Sequence, residues 1–204
     1  MTAAVLATFI IRIPEAPATV AEQRARLPPA AECESPVEGR WRALIYSQNG
    51  QDWYEFTLEI HHEKDDPTKL TGQILVDTWS GPEDQPQPPT PCQHRIKGKM
   101  KGHGTYPGGK TATGQEVYFG GSDYEVVEEV CGYSVGYNPD NFTGKIEPER
   151  QEFQSVNNDG GIAVNEPTVF RRIACFDDNN TPKQPEGDVK KPAFYPKKRS
   201  SGGC

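Results

Sequence analysis

Asp52-Trp53-Tyr54-Glu55-Phe56-Thr57-Leu58-Glu59-Ile60-His61-His62 alternates in period two, with Tyr54, Phe56, Leu58 and Ile60 on one face. Trp53, Glu55, Thr57, Glu59 and His61 take the other, as in a half-buried β-strand. Its apolar face needs more sheet to cover it. The run Trp41 to Tyr46 precedes it across Ser47-Gln48-Asn49-Gly50-Gln51, where Asn-Gly is a strong hairpin signal. Leu70 to Trp79 follows as a third strand after the turn at Asp65-Asp66-Pro67-Thr68. It sets Leu70, Gly72, Ile74, Val76 and Thr78 against the mixed face of Thr71, Gln73, Leu75, Asp77 and Trp79. Gly39 to Gly81 therefore reads as a three-stranded antiparallel sheet, and the rest of the chain is arranged around it.

Prolines at 82, 86, 88, 89 and 91 exclude an internal strand, because each lacks a ladder donor, and predict a stiff surface loop over 82–91. His94 to Lys101 then alternates His94, Ile96, Gly98 and Met100 with the basic row Arg95, Lys97, Lys99 and Lys101. That row is expected to pair with Glu125 and Glu129 across the sheet. Gln115 to Phe119 and Tyr124 to Cys131 read as two strands flanking a Gly120-Gly121-Ser122-Asp123 turn. Short strands are expected at Gly132 to Tyr137 and Phe142 to Ile146, a helical turn at Pro148 to Glu152, and a loop at Asn157 to Gly161. The last strand is Thr168 to Phe176.

The sequence predicts one domain over 38–176, an N-terminal arm over 1–37 with a helix at Val20 to Leu27, and a polar, basic tail over 177–204. Twenty glycines and 19 prolines in 204 residues favour many short strands over long helices. A formal charge of −7 weighs against nucleic acid, and Gly108-Gly109-Lys110-Thr111 lacks P-loop spacing. No run is long enough to span a bilayer, and no clear export signal opens the chain. A cytoplasmic location follows as the expectation, with Cys92, Cys131 and Cys175 as buried free thiols. In an exported protein, a Cys92–Cys131 disulfide and a glycan at Asn141-Phe142-Thr143 are the alternatives.

Leu70-Thr71-Gly72-Gln73-Ile74, Ile96-Lys97-Gly98-Lys99-Met100 and Phe142-Thr143-Gly144-Lys145-Ile146 repeat an apolar-x-Gly-x-apolar pattern. Glycine inside a strand marks a bend or a close approach, so three of them point to a closing barrel. Gly39-Arg40-Trp41 matches the Gly-x-Trp opening of the lipocalin first strand, and Ser122-Asp123-Tyr124 is similar to that family's Thr-Asp-Tyr turn. The chain thus resembles the lipocalin group of calycins. The resemblance implies an all-β, single antiparallel up-and-down barrel. It also implies that Trp41 closes the base under an arginine of the last strand, Arg171 or Arg172, of which Arg171 is taken here.

The proposed inner faces carry Tyr46, Tyr54, Phe56, Ile74, Met100, Phe119 and Val126, with Glu128 as the polar residue worth asking about. A lumen lined this way fits a small, mostly apolar ligand, the leading expectation for function. One alternative is an assembly or adaptor subunit that meets a protein partner through 1–37, 82–91 and 177–204. A second is acid–base chemistry in the lumen, of isomerase or cyclase type. No cofactor or metal is expected. His61 and His62 lie on opposite faces of one strand, and a His62, His94 and Glu128 site is less economical than histidines satisfied by water or backbone.

Overall fold

The computed structural model describes residues 20–47, 51–81, 83, 94–109, 116–131, 136–161, 164–176 and 182–183. Helix α1 (Val20–Arg26) precedes β1 (Gly39–Ser47), β2 (Asp52–His62), β3 (Lys69–Ser80), β4 (Arg95–Thr105) and β5 (Glu116–Val130). Then come β6 (Asn141–Glu147), a 3₁₀ turn (Pro148–Arg150), β7 (Glu152–Asn157), β8 (Pro167–Phe176) and the short β9 (Pro182–Lys183). Each strand pairs antiparallel with the next, and β1 also pairs with β8. The first eight strands therefore form a closed, lipocalin-like up-and-down barrel, and β9 is an appendage on β8.

The β1–β2 hairpin carries the expected register, with Trp41 opposite Leu58 and Ile45 opposite Tyr54. Gly72 bends β3: its φ is +152°, and an added Cβ would lie 1.8 Å from the Glu59 carbonyl oxygen. Any side chain there would force β2 and β3 apart.

Three strand expectations are corrected. Gly120-Gly121-Ser122-Asp123 is no turn, since β5 runs through it as one strand with bulges against β4 and with Asp123 at φ 55°. These glycines make room for Tyr118, Asn141 and Met100 instead of reversing the chain. Strand β7 was not anticipated, although Phe153, Ser155 and Asn157 alternate inward beyond the turn at Pro148. Gly136 and Tyr137 are not in a strand, and 132–135 lie outside the described residues.

The interior is stacked in levels. Phe56, Phe119, Phe142, Phe153 and Phe170 fill the middle and are fully or almost fully buried. Phe142 meets Phe56 and Phe170 edge-on at 5.1 and 4.8 Å, and Phe153 stacks on Phe170 at 5.7 Å. Such contacts contribute about 0.5–1.5 kcal/mol each beyond the burial of area.

One end of the barrel is closed. The Trp41 indole is fully buried and donates to the Val37 carbonyl at 2.9 Å. Arg172 lies over its ring at 4.6 Å and donates to the carbonyl oxygens of Ser35, Pro36 and Glu38. The closing cation is thus Arg172, not Arg171. Period two decides it: Trp41 pairs with Arg172, so both face inward, whereas Arg171 faces outward to Glu152 at 2.9 Å. Burial pulls the Arg172 guanidinium down to about 10, which leaves it charged at neutral pH.

The arm from residue 20 onward drapes over the wall. Gln23 donates to the Pro167 carbonyl and accepts from the Val169 amide, while Arg24 joins Arg171 on the buried Glu152 carboxylate. Cys33 is disulfide-bonded to Cys175, with Cα atoms 5.5 Å apart. Cys131 is also a disulfide cysteine, and its expected partner Cys92 lies outside the described residues. Both the free-thiol expectation and the cytoplasmic assignment are corrected accordingly, because a structural disulfide indicates an oxidising, extracytoplasmic environment.

Candidate functional site

At the opposite end the inward-facing residues turn polar at about one level. Ser47 ends the inward series Trp41, Ala43, Ile45, and Thr78 ends Leu70, Gly72, Ile74, Val76. Tyr54 sits one inward step above Phe56 and opposite Thr78, Asp140 lies two residues before the buried Phe142, and Asn157 ends the β7 series. A barrel core has no packing reason to become polar on so many strands at once, and the change marks where the apolar packing of the interior ends.

Asp140 is the centre of this level. Its Oδ2 accepts from the Tyr137 hydroxyl at 2.6 Å and its Oδ1 from Asn157 Nδ2 at 2.8 Å, while Asn157 Oδ1 accepts from the Asn141 amide. The Asp140 carboxyl is pushed up to about 7, chiefly by burial and in smaller part by the nearby Asp159 charge, against the lowering effect of the two hydrogen bonds. Tyr54 is held far above the ordinary phenol range, first by burial and then by the carboxylates of Asp52, Asp140, Glu166 and Asp159. Tyr137 is raised by burial and by Asp140, and Glu166, which accepts from Ser47 Oγ at 3.2 Å, is raised by burial.

Three partly buried tyrosines pack against the core at this end. Tyr124 and Tyr137 stack at 4.4 Å with planes 13° apart, and Tyr54 stacks over Phe56 at 5.9 Å. Gly98 leaves the space for Tyr124, since an added Cβ would come within 2.2 Å of that ring. Thr78, only 8% exposed, has a buried Oγ1 without a hydrogen-bond partner among the described residues.

The acidic residues at this end differ from those of the outer wall. Outside, Arg40 pairs with Glu59, Arg42 with Glu55, Arg95 with Asp77, Lys99 with Glu125 and Lys101 with Asp123. Among the described residues, no lysine or arginine forms an ion pair with Asp140, Asp159 or Glu166. Asp52 faces His94 at 3.2 Å.

The structure divides the sequence-predicted lining. Tyr54, Phe56, Ile74, Met100 and Phe119 belong to the inner cluster, but all except Tyr54 are fully or almost fully buried in the packed interior. Tyr46 is corrected to the outer wall, where it packs on Trp53 beside Leu44 and Trp79, because period two from Trp41 turns it outward. Glu128 is corrected as well: the bulge at Lys97/Gly98 sets it opposite Lys97, to which it is ion-paired, so Glu128 and not Glu129 completes the basic row. Val126 and Val127 are 49% and 60% exposed, and Val126 lines no closed interior.

His62 and His94 lie at opposite ends of the barrel, roughly 30 Å apart along the strands. They do not meet Glu128 in a common site. Among the described residues, no group of three His, Cys, Asp or Glu is placed to hold a metal. Asn141 of the glycan motif accepts from the Tyr118 hydroxyl at 2.8 Å and donates to the Pro139 carbonyl. Of the segments given to a protein partner, 1–19, 82, 84–91, 177–181 and 184–204 lie outside the described residues.

Tyr124, Tyr137, Asp140, Asn157 and Glu166 were absent from the sequence reading of the site. Asp140 and Tyr137 sit in a connection with no periodicity to reveal them. Ser47 and Thr78 did carry a signal, as polar ends of inward period-two series.

No protein-family model, curated protein or solved structure matches this chain. Among the described residues, no helix is long and apolar enough to cross a membrane. What the fold establishes is a closed barrel whose lumen can in principle house a small ligand.

Proposed function

We propose that this protein is a lipocalin-like binding barrel that takes a small, mostly apolar ligand at its open end. One observation carries the reading: the partly buried group of Tyr54, Tyr124 and Tyr137 above a packed phenylalanine level. Aromatic walls with a few fixed polar groups supply both affinity and orientation. The phenylalanine level limits depth, so the ligand is shallow, seated on Phe56 and Phe142 and not threaded through the barrel. Titration with N-phenyl-1-naphthylamine should give saturable, one-site fluorescence enhancement. Ile96→Trp, which fills the mouth beside Thr78, should weaken it at least tenfold; the absence of saturable binding by this probe and by polar-tailed probes would end the proposal.

A second reading, lumen acid–base chemistry, draws on Asp140, whose carboxyl is shielded, oriented by two donors and able to exchange a proton near neutrality. Deuterium wash-in to a panel of small cyclic ketones, present in the native protein and lost in Asp140→Asn, is the outcome it requires.

A further inference from the structure

The binding reading leaves the charge of the ligand open. We propose that the ligand is a small organic ammonium ion with an apolar body, its cation held between the tyrosine cup and the mouth carboxylates; this rests on the binding reading above. Three independent features converge on it. The rings of Tyr54, Tyr124 and Tyr137 are partly buried where the packed core gives way to polar residues, and they offer π-faces there. A cation over such faces gains electrostatic attraction, and more once water is excluded.

Among the described residues, the charges that act on Tyr54 are carboxylates. Asp140 from the β5–β6 connection, Asp159 and Glu166 from the β7–β8 connection and Asp52 from β2 surround Tyr54, while His94 faces Asp52. Arg95, the nearest strand cation on β4, is turned outward to Asp77. Glu55, Glu59, Asp77, Glu125 and Glu128 on the barrel wall have arginine or lysine partners, whereas among the described residues Asp140, Asp159 and Glu166 have none. An anionic ligand would meet repulsion here, and a neutral one would leave that field unused.

The third feature is Thr78. Its hydroxyl is nine-tenths buried, faces the mouth opposite Tyr54 and has no partner among the described residues. A buried hydroxyl without a partner costs stability, and its position is explained if a ligand N–H donates to Oγ1. An ammonium group satisfies the hydroxyl, the carboxylates and the rings together.

The test uses three dansyl probes of matched length: dansylcadaverine (cationic tail), N-pentyl dansylamide (neutral) and dansyl-6-aminohexanoic acid (anionic). Titrations of the full chain at 0.15 M salt suppress diffuse attraction to its net negative surface. The cationic probe should bind at one site at least tenfold more tightly than the neutral one, with the anionic probe weakest. That preference should shrink toward unity in Asp140→Asn and, should that variant fold poorly, in Glu166→Gln or Thr78→Val. Equal binding of cationic and neutral probes, or tightest binding of the anion, overturns the ammonium assignment and leaves the binding reading standing. A preference unchanged in every folded variant overturns the placement at this mouth. Failure of all three probes overturns the binding reading itself.

Discussion

The two ends of the barrel solve opposite problems of buried charge. At the closed end a cation, Arg172, is withdrawn from water with no carboxylate beside it and is satisfied by three backbone carbonyls and the Trp41 ring. At the other end an anion-forming group, Asp140, is withdrawn from water with no cation paired to it among the described residues and is held by a phenol and an amide. The guanidinium keeps its charge at neutral pH because its ordinary pKa lies so high, whereas the same penalty brings the carboxyl to the edge of losing its own. One end is therefore a fixed structural lock. The other holds a carboxyl whose charge depends on pH.

Removing the lock should have the largest effect. Arg172→Ala leaves a cavity against Trp41 and three unpaired carbonyls, and about 3–5 kcal/mol of stability should be lost in urea unfolding. A loss below about 1 kcal/mol would show that the closed end is not secured by this residue.

The Asp140 carboxyl sharpens the contrast through pH. Its folded value of about 7 lies above the ordinary 3.8, so the native state holds the proton more tightly than the unfolded chain does. Stability is greatest below about pH 4, falls as pH rises toward 7 and is flat above, with at most about 4 kcal/mol in this one contribution. Asp140→Asn should remove that slope. Matching denaturation midpoints of the two proteins across pH 4 to 8, after the global trend is subtracted using Asp123→Asn on the outer wall, would refute it.

The disulfide tests the closed end from its covalent side. Cys33→Ser with Cys175→Ser should cost about 2–4 kcal/mol, since the bridge closes a span of 142 residues. The smallest effect belongs to the mouth: Thr78→Val removes a hydroxyl without a described partner and should leave the ligand-free protein unchanged or stabilise it by up to about 1 kcal/mol. Destabilisation by more than 1 kcal/mol would mean that the hydroxyl is already satisfied.

Much of the barrel was legible because period two is strong where one face is apolar. Tyr54, Phe56, Leu58 and Ile60 on β2 and the cations Arg95, Lys97, Lys99 and Lys101 on β4 occupy the faces their alternation assigns. Alternation fails where a bulge shifts it, which is why Glu128 and not Glu129 meets Lys97. It also misleads where glycine serves a neighbour: Gly120 and Gly121 read as a turn, but they yield space to Tyr118 and Met100 inside β5. The choice between Arg171 and Arg172 needed the β1–β8 register, a pairing of distant segments. The candidate site was the least legible, since Tyr137 and Asp140 lie in an aperiodic connection and gain meaning only when the barrel brings Asn157 and Tyr124 to them.

The Cys33–Cys175 bridge makes a covalent ring of all eight barrel strands, because one half-cystine precedes β1 and the other lies near the end of β8. A protease that severs any single loop within that ring linearises it without releasing a fragment. Nicked molecules would migrate with intact ones until a reductant is added, so in an oxidising setting the barrel can accept a cut and remain one particle.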